Sequence, residues 1–103
     1  MGVIALFRYE VRPGRMADFM AKLQKAASPE FDSPVMPSNV RLLRNFVPGP
    51  DTDGIVLIIE YPDAAAYGAR TAWEQANPAW RDLFESRPDS PERLVGVELL
   101  SDS

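Results

Sequence analysis

Apolar side chains crowd the chain from Val3 to Val11, then recur at three- and four-residue intervals from Met16 to Ala27. That change of period marks a strand running into a helix. The strand mixes β-branched and aromatic residues and stops at Pro13-Gly14. Met16, Phe19, Met20, Leu23 and Ala27 share one helical stripe, while Arg15, Asp18, Lys22 and Lys25 take the wet side, with Asp18 and Lys22 spaced as an i,i+4 ion pair. Ser28-Pro29 ends the helix, and three prolines between Pro29 and Asn39 predict an irregular connection over a rim.

The pattern then repeats. Val40 to Val47 reads as a second strand, Pro48 to Gly54 as a turn cluster and Ile55 to Tyr61 as a third strand, so strands two and three form a hairpin. Asp63 suits a helix N-cap, and the helix after it is expected to bury Ala65, Ala69, Ala72, Trp73 and Ala76. Asn77-Pro78 reads as a break with a fresh cap and first-turn proline, opening a shorter helix with Trp80, Leu83 and Phe84 on its apolar side. Pro88 and Pro91 bracket a loop, and Leu94 to Leu100 is the fourth strand. The order is βαββαβ, with no linker long enough to divide residues 1–103 into more than one domain.

Strand faces sharpen this picture. Odd positions Val3, Ala5, Phe7, Tyr9 and Val11 are apolar or aromatic, yet Ile4 and Leu6 on the even side are apolar too. Strand three likewise sets Ile55, Leu57 and Ile59 against Val56 and Ile58. Such runs belong to strands buried on both faces. Strands two and four carry Arg41, Arg44, Asn45, Gly96 and Glu98, as edge strands do. Strands one and three therefore take the centre of a split βαβ sheet. Two helices cover one face of it. The other would be an apolar patch larger than soluble monomers usually expose, so the pattern predicts a homodimer through the sheet face.

Composition narrows the chemistry. The 103 residues contain neither cysteine nor histidine. That removes disulfides, thiolate nucleophiles, Ser-His and Cys-His arrangements, the commonest general base and the usual zinc and haem ligands. No cofactor is expected. A net charge of −4 and a pI near 4.7 argue against attraction to nucleic acid or anionic membranes. The first strand is too short to span a bilayer, contains Arg8 and Glu10 and lacks the features of a signal peptide, so a cytoplasmic setting is the expectation.

Arg8-Tyr9-Glu10-Val11-Arg12-Pro13-Gly14, with Phe19 following, resembles the opening of NIPSNAP-family domains. Ile58-Ile59-Glu60-Tyr61, the region from Tyr67 to Arg70, and Asn77-Pro78-Ala79-Trp80 are similar to that family's strand, alanine-rich helix and Asp/Asn-Pro-x-Trp segment. The resemblance spans nearly the whole chain. It implies an α+β, ferredoxin-like subunit, a four-stranded antiparallel sheet with helices on one face, that pairs into a dimeric α/β barrel. That superfamily includes antibiotic-biosynthesis monooxygenases and haem-degrading enzymes, and its members share a shape rather than a reaction. The chain departs from the haem-degrading members because it has no histidine for an axial ligand.

Within such a fold the cleft between helices and sheet is the natural small-molecule site. Tyr67, Trp73 and Trp80 would edge it, although ordinary core packing accounts for the same aromatics. Arg8, Glu10, Arg44, Asn45, Glu60 and Glu98 lie within or beside strands and could converge on one polar spot; cross-strand ion pairing near the rim is the competing account. The pocket candidates are Arg8, Tyr9, Arg44, Asn45, Tyr61, Tyr67, Trp73 and Trp80. A cofactor-independent oxygenase would use a set such as Asn45, Tyr9, Arg8 and Trp73 to hold and deprotonate a phenolic substrate.

Two other readings fall away. Asp51-Thr52-Asp53-Gly54 with Glu60 echoes part of a calcium loop, but Gly49 occupies the first ligand position and strands flank it, so a hairpin turn fits better. The RNA-recognition fold needs stacking aromatics on strand three, where this chain has aliphatics. What remains is a dimeric barrel that binds a small hydrophobic or aromatic molecule, with a cofactor-independent monooxygenase or a non-catalytic interaction module as alternatives.

Overall fold

The computed structural model describes residues 2–45 and 54–101. Four strands, β1 (Val3–Val11), β2 (Asn39–Arg44), β3 (Gly54–Tyr61) and β4 (Glu92–Ser101), form one antiparallel sheet in the order β2-β3-β1-β4. The two apolar strands hold the centre. Helix α1 (Met16–Ala26) follows β1, while α2 (Ala64–Ala76) and α3 (Pro78–Phe84) follow β3; a short 3₁₀ turn, Pro29–Phe31, lies in the first connection. The end of the expected second strand at Val47 and the turn from Pro48 to Asp53, including the calcium-loop echo at Asp51 and Asp53, lie outside the described residues.

Local chemistry sets the helix starts. The Asp63 carboxylate accepts the Ala66 N–H at 2.7 Å, and the Asn77 side chain accepts the Trp80 N–H at 3.1 Å, each satisfying a donor that the first turn leaves without a partner. Asn77 thus ends α2 and starts α3 about a new axis. At Gly14 the chain turns from β1 to α1 with φ of 73°, a left-handed conformation that suits glycine.

Register decides which side chains meet the helices. Val3, Ala5, Val11, Ile55 and Tyr61 are buried beneath the helix layer, and Phe19 is fully buried against Val11 and Ile55, with Met16, Met20 and Leu23 around them. The opposite face carries Ile4 and Leu6 beside Ile58 and Val56, with Leu43 and Leu100 at its flanks. No helix covers it.

Two expected faces differ. In α2 the residues Ala65, Ala69, Ala72 and Ala76 are exposed, and the inner stripe runs through Ala66, Tyr67, Arg70, Trp73 and Glu74. A purely apolar template misplaces this helix because its Arg and Glu satisfy each other on the way in; alanine on the outer side supplies helix propensity instead of burial. In α1, Lys22 leaves the wet side and Asp18 pairs with Arg15.

The cause of the Lys22 turn lies in β4. Arg8 pairs with Gly96 but Tyr9 with Leu94, so Val95 is one extra residue in the strand. This bulge reverses the parity of everything before it, setting Glu92 opposite Val11 on the helix side. Lys22 Nζ donates to both Glu92 carboxylate oxygens, at 3.0 and 2.8 Å. The strand consequently starts two residues before the expected Leu94, held also by Arg12 N–H donating to the Pro91 carbonyl at 2.9 Å.

Candidate functional site

Arg70 is the most enclosed charged residue described, with 3% of its surface exposed. A buried guanidinium is tolerated only when its donors and charge are matched. Its Nη1 donates to the Phe31 carbonyl at 2.7 Å and its Nε to Glu74 Oε2 at 2.9 Å, while its guanidinium carbon stands 4.4 Å from the Trp73 ring centre and 5.0 Å from that of Trp80. Planarity, several donors and affinity for aromatic faces all belong to arginine and not to lysine. Arg70 therefore ties the connection after α1 to α2 and fixes Glu74 one turn farther along.

Aromatic rings continue from this clamp. Trp80 meets Phe31 edge-on at 5.3 Å and Phe84 at 4.8 Å, and Trp73 lies 6.5 Å from Trp80. Between α2 and α3 opens a cleft of about 660 Å³ lined by Thr71, Glu74, Gln75, Pro78, Trp80 and Phe84, among others. Its wall is mixed: Pro78, Trp80 and Phe84 supply apolar surface beside the polar and charged Thr71, Glu74, Gln75, Arg81, Asp82 and Glu85. A second groove of about 420 Å³ runs between α1 and residues 85–91, but its Arg15, Lys22 and Arg87 are already paired with carboxylates.

Glu74 links the cleft to two tyrosines on the sheet. Burial raises its carboxyl above the ordinary carboxylate value, opposed by the hydrogen bond and charge of Arg70. Tyr9, packed on Phe19 at 5.1 Å, is pushed up to about 12 by burial and then by the charges of Glu92 and Glu74. Tyr61, edge-on to Tyr67 at 5.4 Å, is pushed up to about 12 by burial and by Glu74, with Arg70 acting the other way. Both phenols stay neutral at physiological pH, in a site whose field resists added negative charge.

The structure distributes the pocket candidates unevenly. Trp80 lines the cleft, and Trp73 stacks on Arg70 just behind it. Tyr9, Tyr61 and Tyr67 lie on the inner side of the helix layer without lining the cleft. Arg8 is exposed and opposite Val56 and Gly96 on the far face, because neighbours in a strand point to opposite sides; Arg8 and Tyr9 cannot serve one pocket. Arg44 and Asn45 are exposed at the end of edge strand β2.

The strand charges do not gather at one spot. Glu10 accepts from Arg93 at 2.8 Å and Glu60 from Asn39 at 2.7 Å. Glu60 pairs with Ile4, so these clusters sit six positions apart along β1, about 20 Å. Sequence reasoning passed over Arg70 and Glu74. Their trace was the i,i+4 spacing on one stripe with Tyr67 and Trp73.

No family model and no curated protein matches the chain. Solved structures do. A NIPSNAP-like domain protein from Burkholderia xenovorans is 17% identical, with a TM-score of 0.68 over 96% of this chain and 81% of that one. SnoaB, a cofactor-independent oxygenase from Streptomyces nogalater, is 16% identical with a TM-score of 0.70, covering 99% and 93%. A dimeric ferredoxin-like protein from an uncultured marine organism is 17% identical with a TM-score of 0.70, covering 96% and 92%. Identities this low carry shape alone, and the shape is that of the ferredoxin-like α+β fold shared by NIPSNAP-like proteins and a cofactor-independent oxygenase.

Proposed function

We propose that this chain binds a small hydrophobic or aromatic molecule in the cleft between α2 and α3, rather than between helices and sheet as the sequence suggested, and does so as a homodimer closed through the open sheet faces. The observation that carries the reading is Glu74, a half-buried carboxylate set in the wall of an open cleft beside Trp80 and Phe84. An aromatic ligand would stack on the rings while one polar group met Glu74. The reading treats residues 1–103 as one domain in the cytoplasm, where a chain without cysteine loses nothing to a reducing environment.

The dimer is supported by the sheet face of Ile4, Leu6, Val56 and Ile58, each partly exposed, with Leu43 and Leu100 exposed at its flanks. Around it Arg8, Arg41 and Arg93 alternate with Glu10 and Glu98, a mixture that a two-fold copy can match. Among the described residues no helix is long and apolar enough to cross a membrane.

A second reading, a cofactor-independent monooxygenase, is favoured by one feature: a carboxylate positioned by a buried arginine can take a phenolic proton. Molecular oxygen would be the oxidant and the ionised substrate the electron source. Native mass spectrometry of the purified protein against aromatic ligands tests the first reading, a 1:1 complex per subunit being the expected result and no complex the contrary one. Oxygen uptake with those ligands separates a binder from an oxygenase.

A further inference from the structure

We infer that Glu74 is the proton acceptor of the cleft and that Arg70 is the residue that positions it, an inference that rests on the ligand-binding reading above. The carboxylate's Oε2 is committed to Arg70 Nε at 2.9 Å. Arg70 in turn is fixed by the Phe31 carbonyl and by the faces of Trp73 and Trp80, so it cannot follow a ligand. The other oxygen, Oε1, accepts no hydrogen bond among the described residues. Glu74 lines the cleft with 22% of its side chain exposed, and a ligand that met Oε1 would displace no partner among the described residues.

Other charged groups near Glu74 do not take over this role. Asp82 and Glu85, on the α3 side of the cleft, both accept from Arg87; Arg81 lines the same side. Tyr9 on β1 and Tyr61 on β3 stay protonated, and Glu92 is held by Lys22. Asp82 and Glu85 share the cleft wall but stand 73% and 60% exposed on their exposed partner Arg87, whereas Glu74 is 22% exposed and held by a buried arginine.

The step is a plain proton transfer. A ligand hydroxyl donates to Oε1; where it is acidic enough, its O–H bond breaks as a carboxyl O–H forms, and the negative charge passes from Glu74 to the ligand oxygen. The total charge beside Arg70 is unchanged, so the guanidinium stabilises both ends of the transfer. An aromatic that lacks a donor gains the ring contacts but not this hydrogen bond.

Calorimetric titration with a matched pair, 2-naphthol and 2-methoxynaphthalene, tests the inference on the whole chain at neutral pH, where a phenol is un-ionised. Wild type is expected to bind both and to prefer the hydroxyl compound by about tenfold, the value of a hydrogen bond to a charged acceptor. Glu74→Gln keeps an oxygen for Arg70 and turns an amide N–H₂ to the cleft, so its preference should fall to about twofold or less. In wild type the preference should vanish on acidification, as Glu74 protonates. Arg70→Lys should move that loss to higher pH, because a weaker positioning cation leaves the carboxyl easier to protonate. Equal binding of the pair by wild type, a preference surviving in Glu74→Gln, or one indifferent to acid overturns Glu74 and leaves the cleft reading standing. Failure of both compounds to bind wild type overturns the cleft reading and this inference with it. Should Glu74→Gln fold poorly, the acid titration of wild type and of Arg70→Lys still decides.

Discussion

Lys22 on α1 and Glu92 on β4 meet as an ion pair at 2.8 Å with side chains only 11% and 7% exposed, 70 residues apart in sequence. Burial makes the partners interdependent. Replacing Lys22 by Met leaves a buried carboxylate without its cation and is expected to cost about 3–5 kcal/mol. The double variant Lys22→Met with Glu92→Leu should recover most of that loss. Urea unfolding of the two variants checks it, and equal destabilisation of single and double would contradict it.

Arg70 makes a similar case at the cleft. Arg70→Met removes the donors to Phe31 and Glu74 together, so a loss of about 3 kcal/mol or more is expected. Arg70→Lys keeps the charge but not the flat fork between two indoles, and should fall between wild type and Met. Thermal melts in parallel measure the order.

The phenols of Tyr9 and Tyr61 make stability depend on alkaline pH. Each is near 10 in an unfolded chain and about 12 in the fold, so between those values the folded state holds more protons. Stability from this source is complete below pH 10 and is lost as pH rises through 12, on the order of 2 kcal/mol per tyrosine. Tyr61→Phe should flatten the fall between pH 10 and 12 in chemical denaturation curves. An unchanged slope would contradict the burial argument.

Glu74 gives the corresponding statement in acid. Its raised carboxyl means the folded chain binds a proton more readily than the unfolded one, so its contribution favours folding below the ordinary carboxylate range and is lost as pH rises through the folded value. Comparing wild type with Glu74→Gln across mildly acidic pH should show the difference in stability shrinking as pH falls.

The open face supplies a test of assembly. Leu6→Glu places a charge in the middle of the patch formed with Ile58 and Val56, without touching the helix side. Light scattering should report a dimer for wild type and a single chain for the variant, with unchanged circular dichroism. A monomeric wild type at micromolar concentration would remove the case for pairing.

Much of this fold was legible because its causes are local. Alternation in β1 and β3, the caps at Asp63 and Asn77, and the breaks at Pro13-Gly14 and Asn77-Pro78 each act within a few residues. The site was less legible because it depends on register and on pairing. One extra residue at Val95 turns Glu92 inward, and nothing in the local sequence marks it. Arg70 and Glu74 ride the inner stripe of α2 because they neutralise each other, against an apolar template that favours the alanines. Of the two accounts of the strand charges, cross-strand pairing is the one seen, at Glu10 and Arg93; convergence is barred because Glu10 and Glu60 lie toward opposite ends of the sheet.

The claim that the cleft at Trp80 receives the ligand has a direct measurement. The chain contains two tryptophans, Trp73 and Trp80, so a nitrogen-correlated NMR spectrum carries two indole signals, assigned by Trp73→Phe and Trp80→Phe. Titration with 2-methoxynaphthalene should move the Trp80 signal saturably, together with the backbone amides of Thr71, Gln75 and Phe84. Saturable shifts confined to residues of the open sheet face, with both indole signals unmoved, would contradict it.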